Sequence, residues 1–443
     1  MQLFSTRTVM NTAGFILLWI LLTFNFQTNA LGIAEDVIFE QWQQNGQSRV
    51  LGRIVADEYN LDLDGAGLGY VYDPVQAEEA DPELSMAQTK AAETYRIHAL
   101  PQIDVQNVVV EPYRAQYGLH AGVYSAISQM LGLDDLQSLQ LIVAALTALA
   151  LVLLFRDYLQ VYDRTFAVLF LLCLALAPYF LSMARNLYWS PFLILLPSLL
   201  AVWFYRDTGT QGAIRGRRWM WLTLITGAMF LKSASNYEYI TTVTLLACSV
   251  FFVAPLFDGR RPDIRMAAHI FVACVLGFTA ALLVHAGARG DTLIEGLHSI
   301  YVEDIARRTY GDPTLETHGE TRASLEASPL DVLGMYLYEI YPGKRTMIVP
   351  GKVFLGLIGL SLAGIALKGM ARHRHFWRDL VTFAVFFAVP VSWFVFAKGH
   401  SFTQTHINFV LWYIGFMPAL LYVSWSSVRV LPEIFGFRRA VSS

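Results

Sequence analysis

The chain has 443 residues, of which 55% are hydrophobic, 14% aromatic and only 15% charged. Soluble domains carry about 25% charged residues, so this composition excludes two or three soluble domains and predicts a protein that crosses a membrane many times. The net charge of −3, with no basic stripe interleaved with aromatics, gives no sign of a nucleic-acid partner.

Taken in chain order, about ten apolar stretches come near the roughly 17–25 residues that a helix needs to cross a bilayer. They centre on residues 11–28, 137–155, 166–183, 188–205, 218–232, 239–256, 266–286, 352–370, 379–397 and 407–427. The prediction is an all-α, polytopic transmembrane bundle, in which 166–183, 188–205 and 218–232 are the short members. Residues 1–30 form the first span, 31–135 a long hydrophilic loop and 136–286 spans two to seven. Residues 287–350 make a second large loop, and 351–443 spans eight to ten with a basic tail. Arg7, the first apolar run and "QTNALG" also fit a signal peptide cut after Ala30, but the run is long enough to remain a span. Cys173, Cys248 and Cys274 all lie inside apolar runs, so no hydrophilic loop holds a disulfide framework or a cysteine metal site.

The first loop opens with Glu35 and Asp36, directly at the membrane surface. Val37, Ile38, Phe39 and Trp42 follow them and predict a helix lying along the interface. The acidic, glycine-rich "DEYNLDLDGAGLGYVYDP" lacks the ligand spacing of an EF-hand and reads as a solvated loop. Further on, Leu119, Val123, Ile127 and Leu131 recur every four residues, one apolar stripe of a second interfacial helix.

The loops alternate in charge. "RDYLQVYDR", "YRDTGTQGAIRGRRW", "DGRRPDIR", "KGMARHRHFWRD" and the tail "FGFRRA" hold most of the loop Lys and Arg, whereas "ARNLYWS", "KSASNYEY" and "AKGHSFTQTH" hold one each. The positive-inside rule makes the first set, and both termini, cytoplasmic. The two large loops and the polar short loops then share the extracytoplasmic face. The short basic loops and modest size fit a bacterial inner membrane.

Four polar groups recur on that face: Glu35-Asp36; Arg185-Asn186 in "ARNLYWSP"; Lys232, Asn236, Tyr237 and Glu238 in "LKSASNYEYI"; and Lys398, His400, Gln404 and His406 in "AKGHSFTQTH". The second large loop adds Glu303, Asp304, Arg307 and Arg308. Tyr, Trp, Lys and Arg at such positions often serve as interfacial anchors. A carboxylate gains nothing from anionic headgroups, so Glu35, Asp36 and Glu238 ask for another explanation. His400 and His406, six residues apart, do not share one helix face and suit substrate contacts better than a metal. Cations and carboxylates on one membrane face suit a lipid-phosphate-linked substrate. The cations hold the phosphate, and one carboxylate acts as general base toward an acceptor hydroxyl or amine.

With "AEDVIFE" directly after the first span, a long first loop, "ARNLYW", "NYEYIT" and a large loop after span seven, the chain resembles the polyprenyl-phosphate-sugar-dependent integral-membrane glycosyltransferases of the C class (GT-C). That resemblance implies an inverting transfer of sugar from a polyprenyl-phosphate or diphosphate donor to a glycan, lipid or protein acceptor. It implies Asp36 as catalytic base, with Glu35 as the substitute, and a lipid phosphate held by residues among Arg185, Lys232, Arg307, Arg308, Lys398 and His400. The family's further acidic residues after span three are missing from "ARNLYWS", and Glu238 stands as their substitute, expected close to Asp36 in one cavity. A divalent cation, Mg or Mn, would have only Asp36, Glu238 and Glu303-Asp304 to bind it. An O-antigen-type polymerase or ligase, working through basic loop residues, is the alternative reading. A lipid-linked sugar flippase is less favoured, because the polar groups cluster on one face and no internal repeat is visible.

Overall fold

The structure is a computed structural model that describes residues 6–64, 67–78, 85–133, 135–209, 215–315, 319–338 and 351–434. The basic tail "FGFRRA" and positions 339–350 of the second loop lie outside the described residues. The chain is 79% helical, and its described strands form one two-stranded ribbon, so the fold is all-α.

Among the described residues, six helical segments are long and apolar enough to cross a membrane, which marks the chain as an integral membrane protein. The first loop follows α1 (Thr6–Thr28) and folds into α2 (Asp36–Gln41), α3 (Gln44–Glu58), β1 (Gly69–Tyr72), α4 (Pro74–Glu78), α5 (Met86–His98), β2 (Val109–Pro112) and α6 (Leu119–Leu131). The bundle continues through α7 (Leu136–Val161), α8 (Arg164–Ala175), α9 (Pro178–Met183), α10 (Pro191–Gly209), α11 (Arg215–Ser235), α12 (Ile240–Phe257) and α13 (Ile264–Arg289). The second loop holds α14 (Leu293–Ser299), a π-helical turn at Ile300–Ile305, α15 (Ala306–Arg308), α16 (Gly319–Glu326) and α17 (Pro329–Tyr338). Then come α18 (Gly351–Met370), α19 (Phe376–Phe396), α20 (Lys398–Thr403), α21 (Thr405–Asn408) and α22 (Met417–Ile434).

The six segments are α7, α12, α13, α18, α19 and the run Thr405–Glu433. Within α1, Thr12–Thr28 is a shorter apolar helix. It packs along α7, where the Trp19 indole donates to the Ala145 carbonyl at 2.8 Å. The stretch 166–183 is not one helix. It breaks at Leu176 and Ala177, because Pro178 has no N–H to donate and disfavours helical backbone at the residue before it. The 12 residues of α8 rise only about 18 Å, well short of the roughly 30 Å hydrocarbon core.

Buried ionic clusters tie the helices together at one end of the bundle. Lys368 of α18 bonds Asp379 of α19 at 2.5 Å, and Ser426 of α22 donates to the same carboxylate at 2.7 Å. Asp157 of α7 takes the Trp203 indole at 2.7 Å and pairs with Arg156 and Arg206. Lys368, Asp379 and Asp157 are buried and each is paired, as a low-dielectric interior requires, while Arg156 and Arg206 reach Asp157 from partly exposed positions.

At the other end the two large loops gather over the bundle. The glycine-rich stretch read as a solvated loop is in part a buried element: β1 pairs antiparallel with β2, Gly69 opposite Pro112, and packs on α3. Two glycines make that contact. A Cβ on Gly52 would lie 2.1 Å from the Gly69 carbonyl oxygen, so only glycine lets α3 and β1 approach so closely. In α6 the four-residue stripe turns outward in part: Val123 is 49% and Leu131 64% exposed, Leu119 and Ile127 are half-buried, and His120, Ala121, Tyr124, Ser125 and Ser128 face the protein. An apolar face turned away from the protein beside a membrane bundle is the arrangement of a helix resting on lipid.

Candidate functional site

Between the loops and the helix ends lies a cavity of about 950 Å³. Its walls come from parts of the chain that are remote in sequence. Val37, Ile38 and Trp42 come from α2 and its end, and Arg49 from α3. Tyr188 and Trp189 come from the turn before α10, Glu238 from the turn before α12, and Glu303, Asp304, Arg307 and Arg308 from the second loop. His400 and His406 come from the segment after α19.

Local backbone sets the direction of the central carboxylate. Tyr239, directly after Glu238, has φ +64, a left-handed conformation that is uncommon outside glycine. It is held there by stacking of its ring on Trp189 at 5.2 Å and by its hydroxyl donating to the Ile407 carbonyl at 3.2 Å. The chain therefore turns sharply at the end of α11 and sends Glu238 into the cavity wall. Close approach of α20 sets the opposite wall. A Cβ on Gly399 would stand 2.8 Å from the Arg307 carbonyl oxygen, so glycine is what lets His400 come alongside Arg308.

Glu238, Arg308 and His400 form the core of the site. Arg308 Nη1 lies 3.3 Å from Glu238 Oε1 and His400 Nε2 lies 3.2 Å from Glu238 Oε2. The second contact is close but poorly aligned for a hydrogen bond, and Oε2 has no hydrogen-bond partner among the described residues. Burial pushes the Glu238 carboxyl up, but His400, Arg308, Lys232 and Arg49 together outweigh it and hold it below the usual carboxylate range. Burial, with Arg308 adding, holds the His400 imidazole below its usual range against the pull of Glu238. The permanently charged arginine is the firm partner, so Glu238 is ionised at neutral pH while His400 is a neutral ring.

The other wall carboxylates are also engaged. Arg289 pairs with Glu303 at 2.7 Å and with Asp304. Arg49, which sequence reasoning passed over, lines the cavity as well. Its Nε donates to the Tyr70 hydroxyl at 2.8 Å, and its guanidinium lies 3.7 Å from the Tyr113 ring centroid. A lone arginine inside an amphipathic helix carries no local signal, and only the folding of β1 onto α3 reveals its setting.

Several residues predicted for the site stand outside the cavity wall. Arg185 donates to the Gln27 and Phe39 carbonyls at 3.3 and 3.0 Å and lies 3.7 Å over the Phe39 ring, fastening α2 to the bundle. Asn186 accepts the Tyr188 and Trp189 amides at 3.0 and 3.3 Å, shaping the turn that presents both aromatics. Lys232 is fully buried and donates to the Asn236 carbonyl at 2.7 Å and to its side-chain oxygen at 2.5 Å. The Asn236 amide donates to the Tyr188 carbonyl at 3.0 Å, and the Tyr237 amide to Gln116 at 2.8 Å. Lys398 donates to the Leu325 and Ala327 carbonyls at 2.5 and 2.8 Å, at the end of α16. These cations lie away from the lining because their heads are taken up by carbonyl oxygens. Glu35 and Asp36 are exposed and have no ion pair among the described residues. Asp36 is the first residue of α2, and its neighbours Val37 and Ile38 line the cavity. No three His, Cys, Asp or Glu side chains converge into a metal site among the described residues. Asp36, Glu238 and Glu303-Asp304 are not assembled as one ligand set among the described residues.

His120 lies beneath the site, buried with its ring edge-on to Tyr124 and Tyr188, each 6.1 Å away. Burial, with Lys232 adding, pushes its imidazole down to about 3, against about 6.5 in the unfolded chain. A lowered folded value means that the unfolded chain takes up the proton first. Stability is therefore intact above about pH 6.5 and is lost as pH falls toward 3, by up to about 1.4 kcal/mol per unit. Thermal unfolding of His120→Phe across that range is expected to show a shallower acid limb than the unsubstituted protein. An identical slope would remove His120 as its source.

No family model, curated protein or solved structure matches the chain.

Proposed function

We infer that the chain is a membrane glycosyltransferase of GT-C type. It moves a sugar from a polyprenyl-phosphate or diphosphate donor to a glycan, lipid or protein acceptor, in a ten-span arrangement with both termini cytoplasmic. The membrane is the bacterial inner membrane, and the cavity faces its extracytoplasmic side. The observation that carries this reading is one cavity of about 950 Å³ in which Arg49, Arg307, Arg308, His400 and His406 face Glu238, Glu303, Asp304 and an aromatic wall. Guanidinium groups suit phosphate oxygens, and Trp42, Tyr188 and Trp189 suit the apolar face of a sugar.

In this reading Asp36 is the base. Glu238, Glu303 and Asp304 each have a cationic partner, whereas Asp36, exposed and next in sequence to Val37 and Ile38 of the lining, has no ion pair among the described residues. Its carboxylate takes the proton of the acceptor hydroxyl while the oxygen attacks the anomeric carbon. The bond from that carbon to the phosphate oxygen breaks, the lipid phosphate leaves with the electron pair, and the configuration inverts. The Glu238–Arg308 pair fixes the charge of the inner wall.

The same arginines favour the ligase reading, in which basic residues do the work and no carboxylate base is needed. Purified protein in lipid nanodiscs, given polyprenyl-phosphate and polyprenyl-diphosphate sugars with candidate acceptors, separates the possibilities. The glycosyltransferase reading expects glycoside formation matched mole for mole by released lipid phosphate. Hydrolysis alone, or no turnover with any donor, counts against it.

A further inference from the structure

Arg49 differs from the other arginines whose contacts define the site. Arg308 pairs with Glu238, Arg289 with Glu303 and Asp304, and Arg185 with Glu40. No carboxylate pairs with Arg49 among the described residues. Its Nε is committed to the Tyr70 hydroxyl at 2.8 Å, and one face of its guanidinium is covered by the Tyr113 ring at 3.7 Å. Its two terminal nitrogens make no hydrogen bond to any described residue, and the side chain lines the cavity. A hydroxyl at Nε and a ring against the face hold the guanidinium in one plane and leave its Nη edge to the ligand. Two parallel N–H groups on a rigid plane match two oxygens of a phosphate, and the immobilisation has already cost the entropy that a free arginine loses on binding. The direct contacts of Arg49 with this wall are aromatic, and Glu238, whose charge Arg49 also feels, is paired with Arg308, so the Nη edge is left for an anion that binds.

We propose that the Nη edge of Arg49, set by Tyr70 and Tyr113, is the seat of the ligand's phosphate ester. This rests on the lipid-phosphate reading above. It makes α3 of the first loop, and not the lysines next to the spans, the phosphate-binding element. It also gives the β1–β2 ribbon a task, since the ribbon carries Tyr70 and leads directly into Tyr113.

The test measures binding, without turnover, of geranyl phosphate, geraniol and inorganic phosphate to the full-length protein in nanodiscs. Unsubstituted protein is expected to bind geranyl phosphate, to bind inorganic phosphate more weakly and to leave geraniol unbound. Arg49→Met is expected to lose at least about tenfold in affinity for geranyl phosphate, the effect of removing charge-assisted hydrogen bonds. Arg49→Lys keeps the charge without the fork and is expected to recover only part of the loss. Tyr70→Phe leaves the guanidinium in place but frees it, and is expected to weaken binding a few-fold, which also keeps the proposal testable if Arg49→Met fails to fold. Geranyl phosphate binding unchanged in Arg49→Met or, if that variant does not fold, in both Arg49→Lys and Tyr70→Phe overturns the role of Arg49 and leaves the lipid-phosphate reading standing. Absence of geranyl phosphate binding to the unsubstituted protein overturns both. Equal binding of inorganic and geranyl phosphate overturns the assignment to a lipid-linked ester.

Discussion

Asp36→Asn is expected to lower glycosyl transfer by about 10²–10⁴-fold, the usual contribution of a general base, while the protein still folds and inserts. The side chain is exposed and has no ion pair among the described residues, so its amide analogue removes basicity without breaking a buried contact. The loss is expected in kcat, with binding of geranyl phosphate unchanged, because Asp36 pairs with no arginine among the described residues and does not line the cavity. Turnover near that of the unsubstituted protein would remove Asp36 as base and favour the ligase-type reading. Glu35→Gln serves as the comparison. It is expected to be nearly silent, since Glu35 precedes the helix whose residues face the cavity.

The second large effect is on stability. Glu238→Ala leaves Arg308 and His400 without the carboxylate that lies between them. Removing one member of a buried ion pair costs about 3–5 kcal/mol. The lower end is expected here, about 3 kcal/mol, because the Arg308 side chain keeps 27% exposure toward the cavity. Thermal unfolding of Glu238→Ala, Arg308→Met and the double variant measures this. The double variant is expected to be less destabilised than the sum of the two singles, since losses within one pair do not add. Additive losses would mean that the 3.3 Å contact carries no coupling. Glu238→Gln is expected to be intermediate, because it restores shape and one acceptor but no charge.

How much of this was legible in the sequence follows from the range over which each feature acts. Membrane insertion depends on continuous apolar runs, and the helices at 136–161, 240–257 and 376–396 lie where the hydropathy of the chain puts them. The break at Leu176–Ala177 is also local, a consequence of Pro178, and was open to a closer reading of 166–183. Site membership is different, because it depends on which loop ends meet. Glu238 stands out in "NYEYI" as a carboxylate at a membrane boundary, and the fold brings Arg308 and His400 to it across long stretches of chain. Lys232 and Lys398 stand out for the same reason, but the Lys232 amine is taken up by the carbonyl and side-chain oxygens of Asn236 and the Lys398 amine by backbone carbonyls, a fate that no residue pattern announces. Arg49 shows the converse. Nothing in "GQSRVLG" marks it, and its setting exists only once Tyr70 and Tyr113 are folded against α3.

The central claim is that the cavity holds a lipid-linked sugar phosphate. Mass spectrometry of lipids that co-purify with the full-length protein tests it most directly, with Arg49→Met prepared in parallel. A polyprenyl-phosphate or polyprenyl-diphosphate sugar retained by the unsubstituted protein and depleted in Arg49→Met is the predicted result. Recovery of bulk phospholipid alone, in equal amount from both proteins, would contradict it.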